Sequence, residues 1–345
     1  MAQLTLVGFS LLGILAAAPG VFWDQLARIG IALLAQSAAW LIPVRVWLRA
    51  GPALWAGALA LLLAVLIFGQ GPEGVRRWFD IAGFNLQPSE LAKLALVVYL
   101  ASLFERNGTD YPVLNPVLAL GIVAGLVAAE PNFSTAAFLL LTGLVLLVVI
   151  GVPARRLWAI GLAASLIAVS LQGFYLERFS YVGERFLGYW QWITGQGDPL
   201  GASYQILRAW EAIQAGGIWG QGVLSDFPVL PAASTDMIFA SIVYATGWLG
   251  GGFLVLAYLL IVARGLQIAR ASRGGASALA IGISLVFGLQ AGLNLGVVLG
   301  VFPVGGIALP FVSYGGSGIL MFGVAFGLLQ AIARQNKPRR KRRSK

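Results

Sequence analysis

Apolar residues along this chain gather into ten runs, with the charged residues held in the short stretches between them. The runs are Leu4–Ala18, Leu26–Ile42, Ala53–Phe68, Ser89–Phe104, Pro112–Ala129, Ser134–Val152, Leu157–Phe174, Met237–Ala263, Ala276–Val301 and Phe311–Ala333. Each approaches the roughly 20 residues that cross the hydrocarbon of a bilayer. The pattern predicts an all-α polytopic membrane protein of about ten transmembrane helices. Residues 1–336 form one integral membrane domain with a large extracytoplasmic loop at 175–235, and residues 337–345 form a basic cytoplasmic tail. The first run could pass for a signal peptide, but it lacks a positively charged n-region and further spans follow at once, so it reads as the first span.

The ionisable residues sort by side. Alternate connections contain Arg45 and Arg49, Arg106, Arg155 and Arg156, then Arg264, Arg270 and Arg273, and the tail KPRRKRRSK joins them. By the positive-inside rule these are cytoplasmic, as are both termini. The opposite face receives Asp24, Glu73, Asp80, Glu130, Glu177, Glu184, Asp198, Glu211, Asp226 and Asp236, while Glu105 and Asp110 fall inside. Acidic residues set topology only weakly, so their collection outside needs another cause, either a solvated surface or a site. The connection Tyr175–Thr235 is too long for a turn. Its Trp, Tyr, Gly and Gln content suits amphipathic or re-entrant pieces at the membrane interface. GxxxG spacings such as Gly296–Gly300 read as helix-packing seams.

Composition narrows the chemistry. The chain is 59% hydrophobic and 10% charged, with a mean hydropathy of +0.86, against about 25% charged residues in a soluble domain. Its formal charge of +10 does not point to nucleic acid, because a basic tail after a last span is more often a topology anchor near anionic lipid. Without cysteine, disulfides, thiol nucleophiles and iron–sulfur ligation are excluded. Without histidine, His-dependent triads, HExxH zinc sites and imidazole catalysis are excluded too. No GxxxxGK[ST] phosphate loop occurs. Carboxylates, Lys, Arg, Tyr, Ser and Thr remain, with an oxygen-liganded metal as an option.

Three constellations use them. In the first, Arg76 and Arg77 precede Gln87-Pro88-Ser89-Glu90, with Lys93 one turn on. Pro88 and Ser89 read as a helix start with Ser89 capping, and Glu90 and Lys93 share a face and can pair. This is either a capped helix whose Lys93 snorkels outward or a cationic site for an anionic headgroup. In the second, Ser234-Thr235-Asp236 leads into a span. Asp236 is either a helix cap or a carboxylate partly withdrawn from water, whose raised pKa would suit a general base. On physical grounds alone it ranks no higher than Glu211 or Asp226. The third is Pro303-Val304-Gly305-Gly306 with Pro310-Phe311-Val312-Ser313-Tyr314-Gly315-Gly316-Ser317, where irregular backbone at membrane depth must line a cavity or be buried in protein. Gln290 and Asn294 form a polar stripe leading towards it.

These segments resemble the SEDS family, the polytopic proteins of bacterial shape, elongation, division and sporulation that include FtsW and RodA. The matching stretches are RRWFDIAGFNLQPSELAKLALVVYLA, GASYQILRAW, GGIWGQG, STDMIFA and NLGVVLGVFPVGGIALPFVSYGGSG. NLGVVLG leans towards the FtsW branch. The resemblance implies a ten-helix fold and an inverting peptidoglycan glycosyltransferase that polymerises lipid II, linked to undecaprenyl pyrophosphate, on the outer face of the bacterial cytoplasmic membrane. It implies Asp236 as the catalytic residue, with Arg76, Arg77, Gln87, Glu90, Lys93, Gln205, Ser313 and Tyr314 as substrate-binding residues. It allows a divalent cation, magnesium or manganese, but no nucleotide, haem or iron–sulfur cluster. Implied partners are membrane lipids and a class B penicillin-binding protein, a single-span transpeptidase. Three departures from the family pattern stand out: Ala232-Ala233-Ser234 in place of Glu-Pro-His, Glu130-Pro131-Asn132 in place of Gln-Pro-Asp, and an acidic pair replaced around Tyr244–Gly247. Two rival readings are a lipid-precursor flippase, which would hold charges near the bilayer midplane with Arg28 as the candidate, and an inactive division scaffold.

Overall fold

The computed structural model describes residues 1–71, 75–81, 83–108, 112–157, 180–196 and 203–336. Its helices are α1 (Ala2–Ala17), α2 (Phe22–Leu41), α3 (Val44–Phe68), α4 (Pro88–Asn107), α5 (Leu114–Ala129), α6 (Phe133–Val149), α7 (Ser180–Ile193), α8 (Tyr204–Gly216), α9 (Ile238–Arg270), α10 (Gly274–Val298) and α11 (Gly316–Gln335). A small antiparallel hairpin, β1 (Phe79–Ile81) and β2 (Phe84–Leu86), stands before α4. Among the described residues α3, α9, α10 and α11 are long and apolar enough to cross a membrane, and α1, α5 and α6 are shorter apolar helices. The expected span Leu157–Phe174 and the tail 337–345 lie outside the described residues, Leu157 apart.

Several boundaries differ from the hydropathy reading. Helix α3 starts at Val44, not Ala53, and takes in Arg45, Arg49 and Pro52. Helix α9 continues past Ala263 to Arg270. Hydropathy marks where a helix is apolar, and these helices run on into their polar ends. Conversely, Phe311–Gly315 is not helical, and α11 begins at Gly316.

The helices pack into one large core built on α1, α2, α4, α9, α10 and α11, and a smaller one on α3 to α6. Lipid tails are as apolar as Leu, so in a bilayer close van der Waals approach drives helix association, and small residues permit it. One seam of this kind joins α2 to α11, where Gly323 and Gly327 sit directly over the carbonyls of Ala32 and Gln36 and leave no room for a Cβ. The Gly296–Gly300 spacing serves another purpose. Gly296 accommodates the Phe302 ring, and Gly300, at φ 69°, accommodates the Trp192 indole. This corrects its reading as a helix-packing seam.

Helix α9 breaks at Gly247 (φ 71°, ψ 180°). A break inside a span frees backbone groups that must find other partners. Here the amides of Trp248 and Leu249 donate to the carbonyls of Gly217 and Ile218 at 2.9 and 3.3 Å. In return Gln221 and Gly222 donate to Tyr244 and Ala245 at 2.8 and 3.0 Å. The clasp fixes the segment after α8 to α9, and the Tyr244 hydroxyl adds a bond to the Asp226 carbonyl at 2.7 Å. Tyr244 and Ala245, at the departure from the family pattern, therefore serve this clasp.

The long connection carries two amphipathic helices. Helix α7 exposes Phe186, Leu187, Trp190 and Ile193, which suits the headgroup level. It is hooked to the turn after α10 by Tyr189 Oη donating to the Val301 carbonyl at 2.6 Å and Trp192 Nε1 to Gly300 at 3.2 Å. Helix α8 packs against α9, burying Ile206, Ala209, Ala212 and Ile213.

Candidate active site

Irregular backbone converges where the three sequence constellations meet. Asn294, on α10, donates from Nδ2 to the carbonyls of Asp236 and Ile307, at 2.7 and 2.8 Å. One turn earlier, Gln290 Nε2 donates to the Ala308 carbonyl at 2.8 Å. Ser313 donates from Oγ to the Thr235 carbonyl and accepts from the Leu309 amide, both at 2.7 Å. The Tyr314 amide donates to the Ser234 carbonyl at 2.8 Å. The expected polar stripe on α10 thus staples the Gly305–Leu309 segment beside Asp236. Gly306 comes so close that a Cβ there would lie 3.6 Å from Asp236 Oδ2.

The result is a cleft of about 430 Å³. Asp236, Glu90, Asn132 and three arginines, Arg28, Arg77 and Arg185, line it, together with Gln87, Tyr314 and the Gly315–Gly318 stretch. Asp236 keeps part of its surface open to the cleft while protein encloses the rest. Burial raises its carboxyl to about 6; Arg185 opposes that shift, Glu90 adds to it and Arg77 opposes it. A carboxyl near 6 is mostly ionised at neutral pH and still basic enough to accept a proton.

The start of α4 differs from the expected cap. Pro88 takes the first helical position, where its missing N–H is harmless, and this puts Ser89 one place too late. Gln87 is the N-cap residue without a side-chain cap bond, and the Ser89 hydroxyl is buried without a partner. The Gln87 amide instead donates to Ser317 Oγ at 2.6 Å, and Ser317 in turn donates to the Asn85 carbonyl at 3.0 Å. The cap comes from α11, 230 residues away.

The candidate substrate-binding residues separate by position. Arg77, Gln87, Glu90 and Tyr314 line the cleft. Arg77 Nε donates to the Glu130 carbonyl at 2.9 Å and Nη2 to the Pro131 carbonyl, which fixes its direction. Lys93 does not snorkel. It is 2% exposed and lies behind Glu90, donating to Glu90 Oε1 at 2.7 Å and Gln290 Oε1 at 2.9 Å. Arg76 is exposed and turns to the end of α3, donating to the Leu66 and Ile67 carbonyls at 3.1 and 2.8 Å. Ser313 supports the floor, and Gln205 reaches the Pro231 carbonyl at 3.5 Å. Of the other outer carboxylates, Glu211 pairs with Arg208 at 2.7 Å on the exposed side of α8, and Asp226 lines a separate pocket with Leu15 and Pro19.

Two cleft residues carried no clear signal in the sequence. Arg28 stood out only as a charge inside a span. Its guanidinium lies over the Tyr314 ring at 4.5 Å and the Phe84 ring at 5.9 Å. Arg185 belongs to α7, which the hooks at Tyr189 and Trp192 help to hold at the cleft. Next to the cleft wall Glu130 is fully buried, with neither carboxylate oxygen hydrogen-bonded. Burial pushes its carboxyl up to about 8, against the opposing influence of Arg77.

An apolar groove of about 710 Å³ runs between α3, α4 and α11, lined by residues such as Trp47, Leu54, Leu61, Leu91 and Met321. Leu91 of the groove follows Glu90 of the cleft in the first turn of α4.

Comparison with known proteins gives a consistent picture. Residues 10–338 match the profile of the cell cycle protein family FtsW/RodA/SpoVE. The chain is 33% identical over 328 residues to the peptidoglycan glycosyltransferase MrdB of Escherichia coli K12, covering 92% of this chain and 87% of MrdB. It is 33% identical over 325 residues to a probable peptidoglycan glycosyltransferase FtsW of Thiomicrospira cyclica, covering 90% and 81%. A solved chain from work on the structural coordination of polymerization and crosslinking by a peptidoglycan synthase complex superposes with a TM-score of 0.80 at 27% identity, covering 97% and 96%.

Proposed function

Since this chain belongs to the FtsW/RodA/SpoVE family, we propose that it is a peptidoglycan glycosyltransferase polymerising lipid II at the outer face of the bacterial cytoplasmic membrane. The observation that carries this reading is Asp236, a carboxylate raised to about 6 in a cleft that three arginines also line. A group that takes a proton thus sits beside groups that bind an anionic leaving group.

In the reaction, the 4-hydroxyl of an acceptor sugar attacks the anomeric carbon of the donor from the face opposite the diphosphate. The C–O bond to the acceptor forms and the bond from the anomeric carbon to the diphosphate oxygen breaks, with inversion. The leaving diphosphate keeps the bonding electron pair, and Asp236 takes the hydroxyl proton. Arg77 faces the leaving group, Gln87 and Tyr314 face the sugar, and Lys93 acts through Glu90. The polyprenyl tail lies in the apolar groove beside α4. Both termini are cytoplasmic, and the partner is a class B penicillin-binding protein that would crosslink the strands made here.

The test is polymerisation of lipid II by the purified chain, with and without such a partner, read as glycan strands on a gel. Strands from the wild type and none from Asp236→Asn are expected. No strands under either condition would leave a scaffold role instead.

A further inference from the structure

Two helix pairs carry the two sides of the cleft floor. Helix α1 packs on α9, and α2 packs on α11. Gly13 of α1 admits the side chains of Ile238 and Ile242 at the start of α9. Asp236 immediately precedes α9, while Ser313 and Tyr314 immediately precede α11. The way one pair is set against the other therefore sets Asp236 against Tyr314.

A buried polar link joins the pairs at this level. Ser10 on α1 and Gln25 on α2 are both fully buried. Ser10 Oγ donates to the Val312 carbonyl at 2.8 Å and accepts from Gln25 Nε2 at 2.8 Å. A side-chain amide has a second N–H to give, and this one lies between the Val312 and Ser313 carbonyls, at 3.5 and 3.4 Å. From α9, Tyr258 Oη donates to the Pro310 carbonyl at 2.6 Å. Arg28, three residues after Gln25 and on the same face of α2, lies over the Tyr314 ring at 4.5 Å. Donors from three helices thus converge on one short turn, in which Phe311 stands at φ 63°. A bulky residue keeps such a conformation only where its surroundings over-determine it.

The turn in its turn holds the segment before α9. Ser313 Oγ donates to the Thr235 carbonyl and the Tyr314 amide to the Ser234 carbonyl. Stability does not explain the choice of Gln25. Its Oε1 is buried without a partner, which is costly, and Ser10 reaches Val312 by its own hydroxyl. An apolar side chain of the same length would serve the fold as well. What the amide adds is a fixed position for the turn.

We infer that Gln25 and Ser10 are positioning residues of the cleft, locking the Phe311–Tyr314 turn and through it the placement of Asp236. Their effect on turnover rests on the glycosyltransferase reading, whereas the link itself is tested without turnover.

Hydrogen exchange of the full-length protein in detergent, read by mass spectrometry, provides that test. In Gln25→Met and in Ser10→Ala the amides of residues 232–240 and 309–316 should exchange faster, with residues 116–127 of α5 unchanged. Ser10→Thr, which keeps the hydroxyl, should restore slow exchange. The melting temperature of Gln25→Met should be unchanged or higher. Should Gln25→Met fail to fold, Ser10→Ala, which removes a single oxygen, carries the same test.

In lipid II polymerisation, displacing a reacting group by about 1 Å can cost on the order of 100-fold. Each of the two substitutions should therefore lower kcat by roughly tenfold or more while KM changes by less than about threefold. The double variant should lose little more than either single one, because both act through one link. Ser37→Ala, which removes an exposed hydroxyl further along α2, should behave as wild type. Unchanged exchange at residues 232–240 overturns the inference, as does an unchanged kcat in folded variants of an active protein. Faster exchange that extends to α5 with a lower melting temperature also overturns it, since that is a general loss of packing. Faster exchange confined to the two segments, in a protein whose wild type makes no glycan, upholds the link and counts against the glycosyltransferase reading instead.

Discussion

Lys93 Nζ stands 2.7 Å from Glu90 Oε1, three residues earlier on α4, with side-chain exposures of 2% and 11%. Gln290 takes a second Lys93 proton from α10, and the Phe138 ring lies 5.2 Å from the ammonium. An ion pair this enclosed adds little net stability, because desolvation offsets most of the attraction, yet breaking it strands a buried charge. Its place is behind the cleft wall, where Lys93 holds Glu90 Oε1 while Glu90 lines the cleft.

Lys93→Met should therefore destabilise the protein by about 3–5 kcal/mol. Adding Glu90→Gln should recover much of that, since both charges are then gone. Thermal unfolding of the two single variants and the double variant completes the cycle. Additive losses would show that the two side chains act independently.

Polymerisation should fall as pH drops through about 6, the value to which burial raises Asp236, because a general base works only when deprotonated. Below that pH kcat/KM should lose close to tenfold per unit. Asp236→Asn should reduce kcat at least 100-fold, the lower end of what a positioned base contributes (roughly 10²–10⁴), with melting unchanged. Asp226→Asn, in a separate pocket, should stay near wild type.

Glu130 offers a pH signature in stability. Its carboxyl ordinarily titrates near 4.5 and burial carries it to about 8 in the folded chain. Below 4.5 the group is protonated in both states and has no effect. As pH rises from 4.5 to 8 the unfolded chain releases the proton first, so stability is lost progressively and the loss is complete above 8. At about 1.4 kcal/mol per unit the ceiling is on the order of 5 kcal/mol. Glu130→Gln should raise the melting temperature more at pH 9 than at pH 5. An equal effect at both would show that the carboxyl is hydrated.

Topology can be read directly, because the chain has no cysteine. Single cysteines at Asp226 and Arg273, both exposed, should label from opposite sides of the membrane with an impermeant maleimide, Asp226→Cys from outside. Labelling of both from one side would overturn the proposed orientation and the outer location of the cleft.

Much of the architecture was legible along the chain. The runs that became α1 to α6 and α9 to α11 show as apolar stretches, and the Glu90–Lys93 pair follows from spacing on a helix. Other features were not legible for identifiable reasons. The tertiary cap from Ser317 could not be read near Gln87, because 230 residues separate donor and acceptor. The break at Gly247 resembles any glycine in a span until the carbonyls of Gly217 and Ile218 arrive to accept its freed amides. Arg185 lies in a connection whose composition speaks of the interface and says nothing of a cleft.

By itself the sequence determined the membrane class, the approximate spans and a short set of groups able to do chemistry, because hydropathy and the lack of histidine and cysteine are properties of the residues alone. It also pointed to Asp236 through the motif around it. Only the tertiary structure decided which cations face the cleft. Arg76 and Arg77 are neighbours in the chain, yet one turns to the carbonyls ending α3 and the other to those after α5. Lys93 points to Gln290, and Tyr314 and Phe84 hold Arg28. A side chain's direction is set by whichever partners packing brings within hydrogen-bond or van der Waals reach, and those partners come from distant parts of the chain.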